Sequence, residues 1–183
     1  MKYDLPSSVE IDGVSHNIRK RGDFRVVLDS IAALNDLDLK DEEKLYCATY
    51  IFYEDCNELR DMKEAVRQMM IFINLGEEES DSKPRPQLMD WEQDFKIIVA
   101  PINRVVGQEI RSMEYLHWWT FISAYYEIGE CCFSTVVSLR EKQRKGKKLE
   151  KWEREYIREH SDLVKLKKRV SSEEQALIDE LLC

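Results

Sequence analysis

Residues 90–107, DWEQDFKIIVAPINRVVG, decide the fold class. Trp91, Phe95, Ile98, Ile102 and Val106 recur at intervals of three and four residues. That spacing draws one stripe along an α-helix, whereas a strand would alternate every second residue. Asp90, just before the stripe, is a residue type whose carboxylate accepts from the free N–H groups of a first helical turn. Pro101 sits inside the pattern. It lacks an N–H and crowds the preceding turn, so the sequence predicts a kink or a split there.

The same period recurs on both sides. Upstream, Asp23 is placed to cap a helix with Phe24, Val27, Leu28, Ile31 and Leu34 inward. Asp41 is placed to cap the next, with Leu45, Ala48, Ile51 and Phe52 inward. A third helix is predicted over 59–75, with Met62, Val66, Met69, Met70 and Ile73 inward and Gly76 as its stop. Downstream, Ser112 opens SMEYLHWWTFISAYYEI, the most aromatic segment, predicted as a helix over 112–126. Residues 133–139 form a short apolar stretch, followed by a charged tip around Gly146. Leu149, Trp152, Tyr156 and Ile157 mark another helix. Ser171 and Glu174 have the spacing of a capping box ahead of a last one. Only residues 8–18, SVEIDGVSHNI, read as strand. Asp12-Gly13 at their centre can take two positive φ angles, as a type I′ hairpin turn requires. The fold class is therefore mainly α: a multi-helix bundle in two lobes with a small N-terminal β-hairpin.

Residues 76–87, GEEESDSKPRPQ, offer nothing to bury and carry two helix-breaking prolines. They are expected to be a mobile acidic linker. It separates a hairpin-plus-helices lobe, 1–75, from a second helical lobe, 88–183, holding the aromatic helix, the basic tip and the last helix.

The composition of the 183-residue chain agrees. Apolar residues are 43%, enough for a core, and charged residues are 35%, as expected of helices with one buried stripe. Six glycines and four prolines are too few for a turn-rich β-sandwich. The net charge of −8 disfavours nucleic acid as a partner. Residues 140–170 depart from it with 13 basic and 6 acidic side chains. Such a polar distribution suits subunits that associate head to tail, or that hold a basic partner. No apolar run reaches the roughly 20 residues that span a bilayer, and the first residues lack the apolar core of a secretory signal, so no membrane partner is expected.

Catalytic signatures are missing. Cys47, Cys56, Cys131, Cys132 and Cys183 are odd in number and form no CxxC, which reads as reduced thiols. His16, His117 and His160 have no second ligand one helical turn away, and no phosphate-binding glycine loop occurs. Neither metal nor cofactor is expected, and no enzyme activity. His117 reads as a packing residue.

Five stretches together carry a family resemblance: LPSSVEIDG at 5–13, DFRVVLD at 23–29, EEKL at 42–45, the 90–107 helix, and MEYLHWWTF at 113–121. In this order they resemble the bacteriophage gene-15-product family of tail proteins of long-tailed phages. The resemblance implies a tail assembly chaperone, which binds and solubilises the tape-measure protein in the host cytoplasm during virion assembly. It further implies the tail tube protein as a second partner, and self-association. A structural tail component retained in the virion and a small regulatory or enzymatic phage protein are the alternatives. A chaperone of a helical polymer needs tolerant apolar surface, for which flexible methionines and aromatic anchors are suited. Met62, Met69, Met70, Trp118 and Trp119 are the candidate partner-binding residues. Successive tryptophans lie about 100° apart on a helix. One of the pair is therefore expected to pack inside and the other to border a binding surface.

Overall fold

The computed structural model describes residues 4–78, 86–167 and 169–182. The chain is mainly α-helical, with one two-stranded antiparallel hairpin. The predicted linker falls mainly on residues 79–85, outside the described residues, and so does Cys183. The remaining cysteines, Cys47, Cys56, Cys131 and Cys132, are free thiols. Contacts divide the chain into two compact units that are not continuous in sequence. Unit 1 comprises Met1–Ser82, Tyr115–Phe121 and Arg169–Cys183; unit 2 comprises Lys83–Glu114 and Ile122–Lys168.

In unit 1 the hairpin forms as read. β1 (Ser8–Ile11) pairs with β2 (Val14–Asn17), and Asp12 and Gly13 at φ 51° and 77° make the type I′ turn. Two strands alone are marginal in water; here Ile11 is buried and β1 rests on helix α3 (Met62–Ile73). Lys20, Arg21 and Gly22 then all take left-handed φ. Only glycine does so without steric cost. Arg19, just before this turn, donates to the carbonyls of Tyr50, Ile51 and Tyr53 at 3.0, 2.9 and 2.8 Å. These carbonyls lie at the end of α2 (Asp41–Phe52), where helical acceptors lack partners. α1 (Phe24–Leu34) packs on α2, burying Phe24, Val26, Val27 and Ser30.

Asp41 is not the cap of α2. It is the first helical residue, and Lys40 precedes it as cap, because Glu43 reaches back to accept the Lys40 N–H at 2.8 Å. Three acids in that first turn complement the helix dipole. Leu45, expected inward, is exposed, since Ala48, Thr49 and Phe52 set the buried face. In α3 the cap is Asp61, and Ala65, Met69 and Phe72 are the fully buried side chains. Leu75 and Gly76 close that helix at φ 60° and 90°, with Gly76 N–H on the Ile71 carbonyl at 2.8 Å. α9 (Ser172–Leu182) begins with the capping box read from sequence: Glu174 N–H on Ser171 Oγ at 3.2 Å, and Ser171 N–H on Glu174 Oε2 at 3.1 Å.

In unit 2, α4 (Trp91–Val106) is capped by Asp90, which accepts from Glu92 and Gln93 N–H at 3.0 Å. Pro101 does not split it; the helix runs through the buried proline and ends at left-handed Gly107. α6 (Cys132–Arg144), α7 (Lys151–Glu159) and α8 (Ser161–Val164) complete the unit. Val136, Leu139 and Val164 form a core cluster, with Ile97, Leu149, Tyr156, Ile157 and Leu163 packed against it. Arg140 crosses this core. Its guanidinium holds both Asp94 oxygens at 2.7 and 2.9 Å and the carbonyls of Leu88, Leu163 and Val164 at 2.7–3.0 Å. A second Asp94 interaction, accepting the Asp90 N–H at 3.0 Å, completes the network.

α5 (Trp118–Tyr126) begins six residues later than predicted from Ser112. The backbone of the preceding residues is committed elsewhere: Phe24 N–H donates to Leu116 O at 2.9 Å, and Leu116 N–H donates to Asp23 Oδ2 at 3.0 Å. A residue cannot give the same groups to a helix ladder.

Asp94 and Arg140 are 1% and 5% exposed, so removing one partner strands a buried charge. Arg140→Met and Asp94→Ala are each expected to lose about 3–5 kcal/mol in urea unfolding. A loss below about 1 kcal/mol would show that the pair contributes no more than a surface contact.

Candidate partner-binding surfaces

The aromatic segment of unit 1 is built on the end of α3. Asp23 is the anchor. Its carboxylate is 1% exposed, caps α1 through Arg25 N–H at 3.0 Å, pairs with the Arg25 guanidinium at 3.1 Å and accepts the Leu116 N–H. Asp23 and His117 form an isolated antiparallel bridge. This holds the chain extended up to His117, and α5 can start only after it.

His117 starts that helix. Its Nδ1 accepts the Trp119 N–H at 3.0 Å, the contact an N-cap side chain makes. A backbone N–H can only donate, so Nδ1 carries no proton and Nε2 donates to the Pro6 carbonyl at 3.0 Å. Burial holds the imidazole below its ordinary pKa, and Arg21 adds to that effect. The Pro6 carbonyl and Asp23 pull the other way. The sequence-based reading of His117 as a satisfied packing residue agrees with this geometry.

Both indoles finish α3. Trp118 Nε1 donates to the Ile73 carbonyl and Trp119 Nε1 to the Phe72 carbonyl, each at 2.9 Å. These are acceptors of the last helical turn, where ladder partners run out. Trp118 stacks on Phe121, which stacks on Phe24 at 4.7 Å. Phe72 lies between the rings of Phe52, His117 and Trp119. A Cβ on buried Gly22 would sit 2.7 Å from Phe72 Cζ, so the left-handed turn must end on glycine for spatial as well as conformational reasons.

The five candidates are placed unequally. Trp118 is 2% exposed and Met69 fully buried. Trp119, Met62 and Met70 are half-buried, and Met62 Sδ lies 3.4 Å from the Thr49 hydroxyl. The structure brings Trp118 and Trp119 together at the end of α3; Met62 sits at that helix's opposite end.

More open apolar surface lies away from these five residues. Unit 2 carries a groove of about 480 Å³ lined by Leu88, Tyr125, Tyr126, Ile128, Phe133 and Val137, with Ser134, Ser138 and Glu141 as its polar members. Tyr125 packs on Trp91 at 5.2 Å and on Phe133 at 5.7 Å, which fixes one wall. Tyr126 is 70% exposed. In unit 1, α2 turns Tyr46 and Tyr50 outward as a stacked pair at 6.2 Å. Such residues look like core in the sequence, and only the direction of the helix shows that they are not. Among the described residues, no group of three or more His, Cys, Asp or Glu is placed to hold a metal ion. No helix there is long and apolar enough to cross a membrane.

Comparison with known proteins supplies the kinship of this mainly helical chain. The family model described as Bacteriophage Gp15 protein matches residues 1–166. The chain belongs to that bacteriophage family. No curated protein and no solved structure matches it significantly.

Two outcomes follow from the indole clamp and its histidine. Trp118→Ala is expected to cost about 3–5 kcal/mol of stability, as for other buried aromatics. Trp119→Ala is expected to stay within about 0.5–3 kcal/mol, and equal losses in urea unfolding would contradict the difference in burial. For His117, the folded pKa lies below the unfolded 6.5, so the unfolded chain takes up the proton first. Its contribution is complete above about pH 6.5 and is lost as pH falls below that, by at most about 1.4 kcal/mol per pH unit. His117→Asn keeps an acceptor for Trp119 N–H but does not titrate. Its Tm should therefore fall less between pH 7.5 and 5.5 than that of the wild type, and parallel falls would exclude His117 as the titrating group.

Proposed function

We propose that this Gp15-family protein is a tail assembly chaperone that binds and solubilises the tape-measure protein during tail morphogenesis, in the cytoplasm of the bacterial host. The observation that carries the reading is the open groove of unit 2. A tape measure is a long, largely helical chain whose apolar stripes aggregate when left bare. An amphipathic helix binds by laying its apolar face into a hydrophobic groove, with anchors one helical turn apart. Tyrosines and phenylalanine give such a groove contact area at low entropic cost. Many weak sites along one polymer hold it through avidity and still release it. Trp119, Met62 and Met70 retain part of their surface and offer a secondary contact on unit 1, supported from within by Trp118 and Met69. The role requires no catalysis, and the tail tube protein is a second partner in it.

Co-expression with the tape-measure protein tests this. The tape measure is expected to move from the pellet to the soluble fraction and to co-purify with the chain. Tyr126→Asp places a charge at the most exposed aromatic of the groove. It should leave folding intact and weaken retention by about 2 kcal/mol, roughly thirtyfold, as loss of an aromatic anchor does. A tape measure that stays insoluble beside the wild-type chain would refute the proposal.

A further inference from the structure

The two units differ in charge sign. Unit 1 contains 11 basic and 23 acidic side chains, and unit 2 contains 17 basic and 13 acidic ones. The excess of unit 2 lies mainly in residues 140–148. α7 is neutral as a whole, but it segregates its charges: exposed Lys151, Arg154 and Arg158 fall at i, i+3 and i+7 and so share one face. Glu155 lies at that face's edge. Among the described residues Lys151 and Arg154 form no ion pair, and Arg158 has only a 3.9 Å pair with its neighbour Glu159. The opposite face of α7 is committed to its own unit through buried Glu153, which pairs with Lys142 and accepts the Glu150 N–H.

Unit 1 presents a face of the complementary kind. On α2, Glu42, Glu43, Tyr46 and Tyr50 point away from buried Ala48, Thr49 and Phe52, and all four are exposed. Tyr46 and Tyr50 are each 51% exposed and stack on one another. The Tyr50 ring already receives one cation, the Arg19 guanidinium 5.9 Å from its centre. Carboxylates beside aromatic faces favour Lys and Arg twice over, by Coulomb attraction and by the ring quadrupole.

We infer that the occupant of the Glu42–Tyr50 face of α2 is the basic face of α7 on a second copy of this chain. The contact is heterologous, because each copy offers both faces and uses each on a different neighbour. It therefore extends from copy to copy, and its main attraction is between exposed charges, so it is sensitive to salt. This inference concerns the chain alone and does not depend on the tape measure.

Charge exchange tests it. The wild-type protein, purified without partners, is expected to sediment as species larger than a monomer at 50 mM salt and ~100 μM, and as a monomer at 1 M salt. Glu42→Lys with Glu43→Lys in one variant, and Lys151→Glu with Arg154→Glu in another, should each give a folded monomer by circular dichroism and sedimentation. Mixing the two should restore the larger species, because each reversed face then meets its complement. A wild type that is monomeric at low salt overturns the proposal. So does a variant that still assembles alone, or a mixture that stays monomeric, since the two faces would then not meet. These readouts contain no tape measure, so their failure is distinct from failure of the chaperone reading.

Discussion

Unit 1 depends on one carboxylate taken out of water. Asp23 caps α1, pairs with Arg25 and accepts the N–H of Leu116, 93 residues further along the chain. A buried carboxylate is tolerated only when its oxygens are fully used. That requirement explains much around it. The extended segment through Leu116 and His117 exists because it supplies a donor to Asp23 and an acceptor to Phe24. The late start of α5, the cap supplied by His117 and the docking of both indoles on α3 follow from that placement.

Unit 2 solves a related problem with the opposite charge. Arg140 joins Asp94 to three backbone carbonyls, two of them at the end of α8. A planar guanidinium can serve several acceptors in fixed directions, which a lysine could not. Each unit thus has a charged residue at its interior that ties segments distant in sequence. Such contacts define which segments meet more than they add net stability.

Local rules were legible in the sequence at most places where the chain interacts with its own neighbours, the exception being the start of α2, where Glu43 makes Lys40 rather than Asp41 the cap. The Asp12-Gly13 turn, the caps at Asp23 and Asp90, and the Ser171–Glu174 box all appear at the residues read from spacing. Reading failed where a distant segment competed for the backbone, as at 112–117. It also failed where periodicity could not say which side of an apolar helix is inside. α2 carries apolar or aromatic residues around most of its circumference, so Leu45 and Tyr50 had no inward direction until α1 was in place. For the candidate surface, the sequence identified the tryptophans as special but not why. Their N–H groups complete a neighbouring helix, which no spacing rule encodes. The groove around Tyr126 combines residues 88, 125–128 and 133–141, and only the folded unit brings them together.

The discontinuity of unit 1 has a consequence for how the protein is made. Asp23, Phe24 and Phe72 leave the ribosome well before Leu116, His117, Trp118 and Phe121 exist. Until those residues are synthesised, the Asp23 carboxylate lacks its Leu116 donor, and the rings of Phe24 and Phe72 lack the partners that cover them. The nascent first 82 residues are therefore an incomplete core with exposed aromatic surface, which is the kind of intermediate that aggregates. Closing so long a loop is also entropically slow. Nascent unit 1 thus waits through the translation of all of α4 and the segment that follows it before its centre can close.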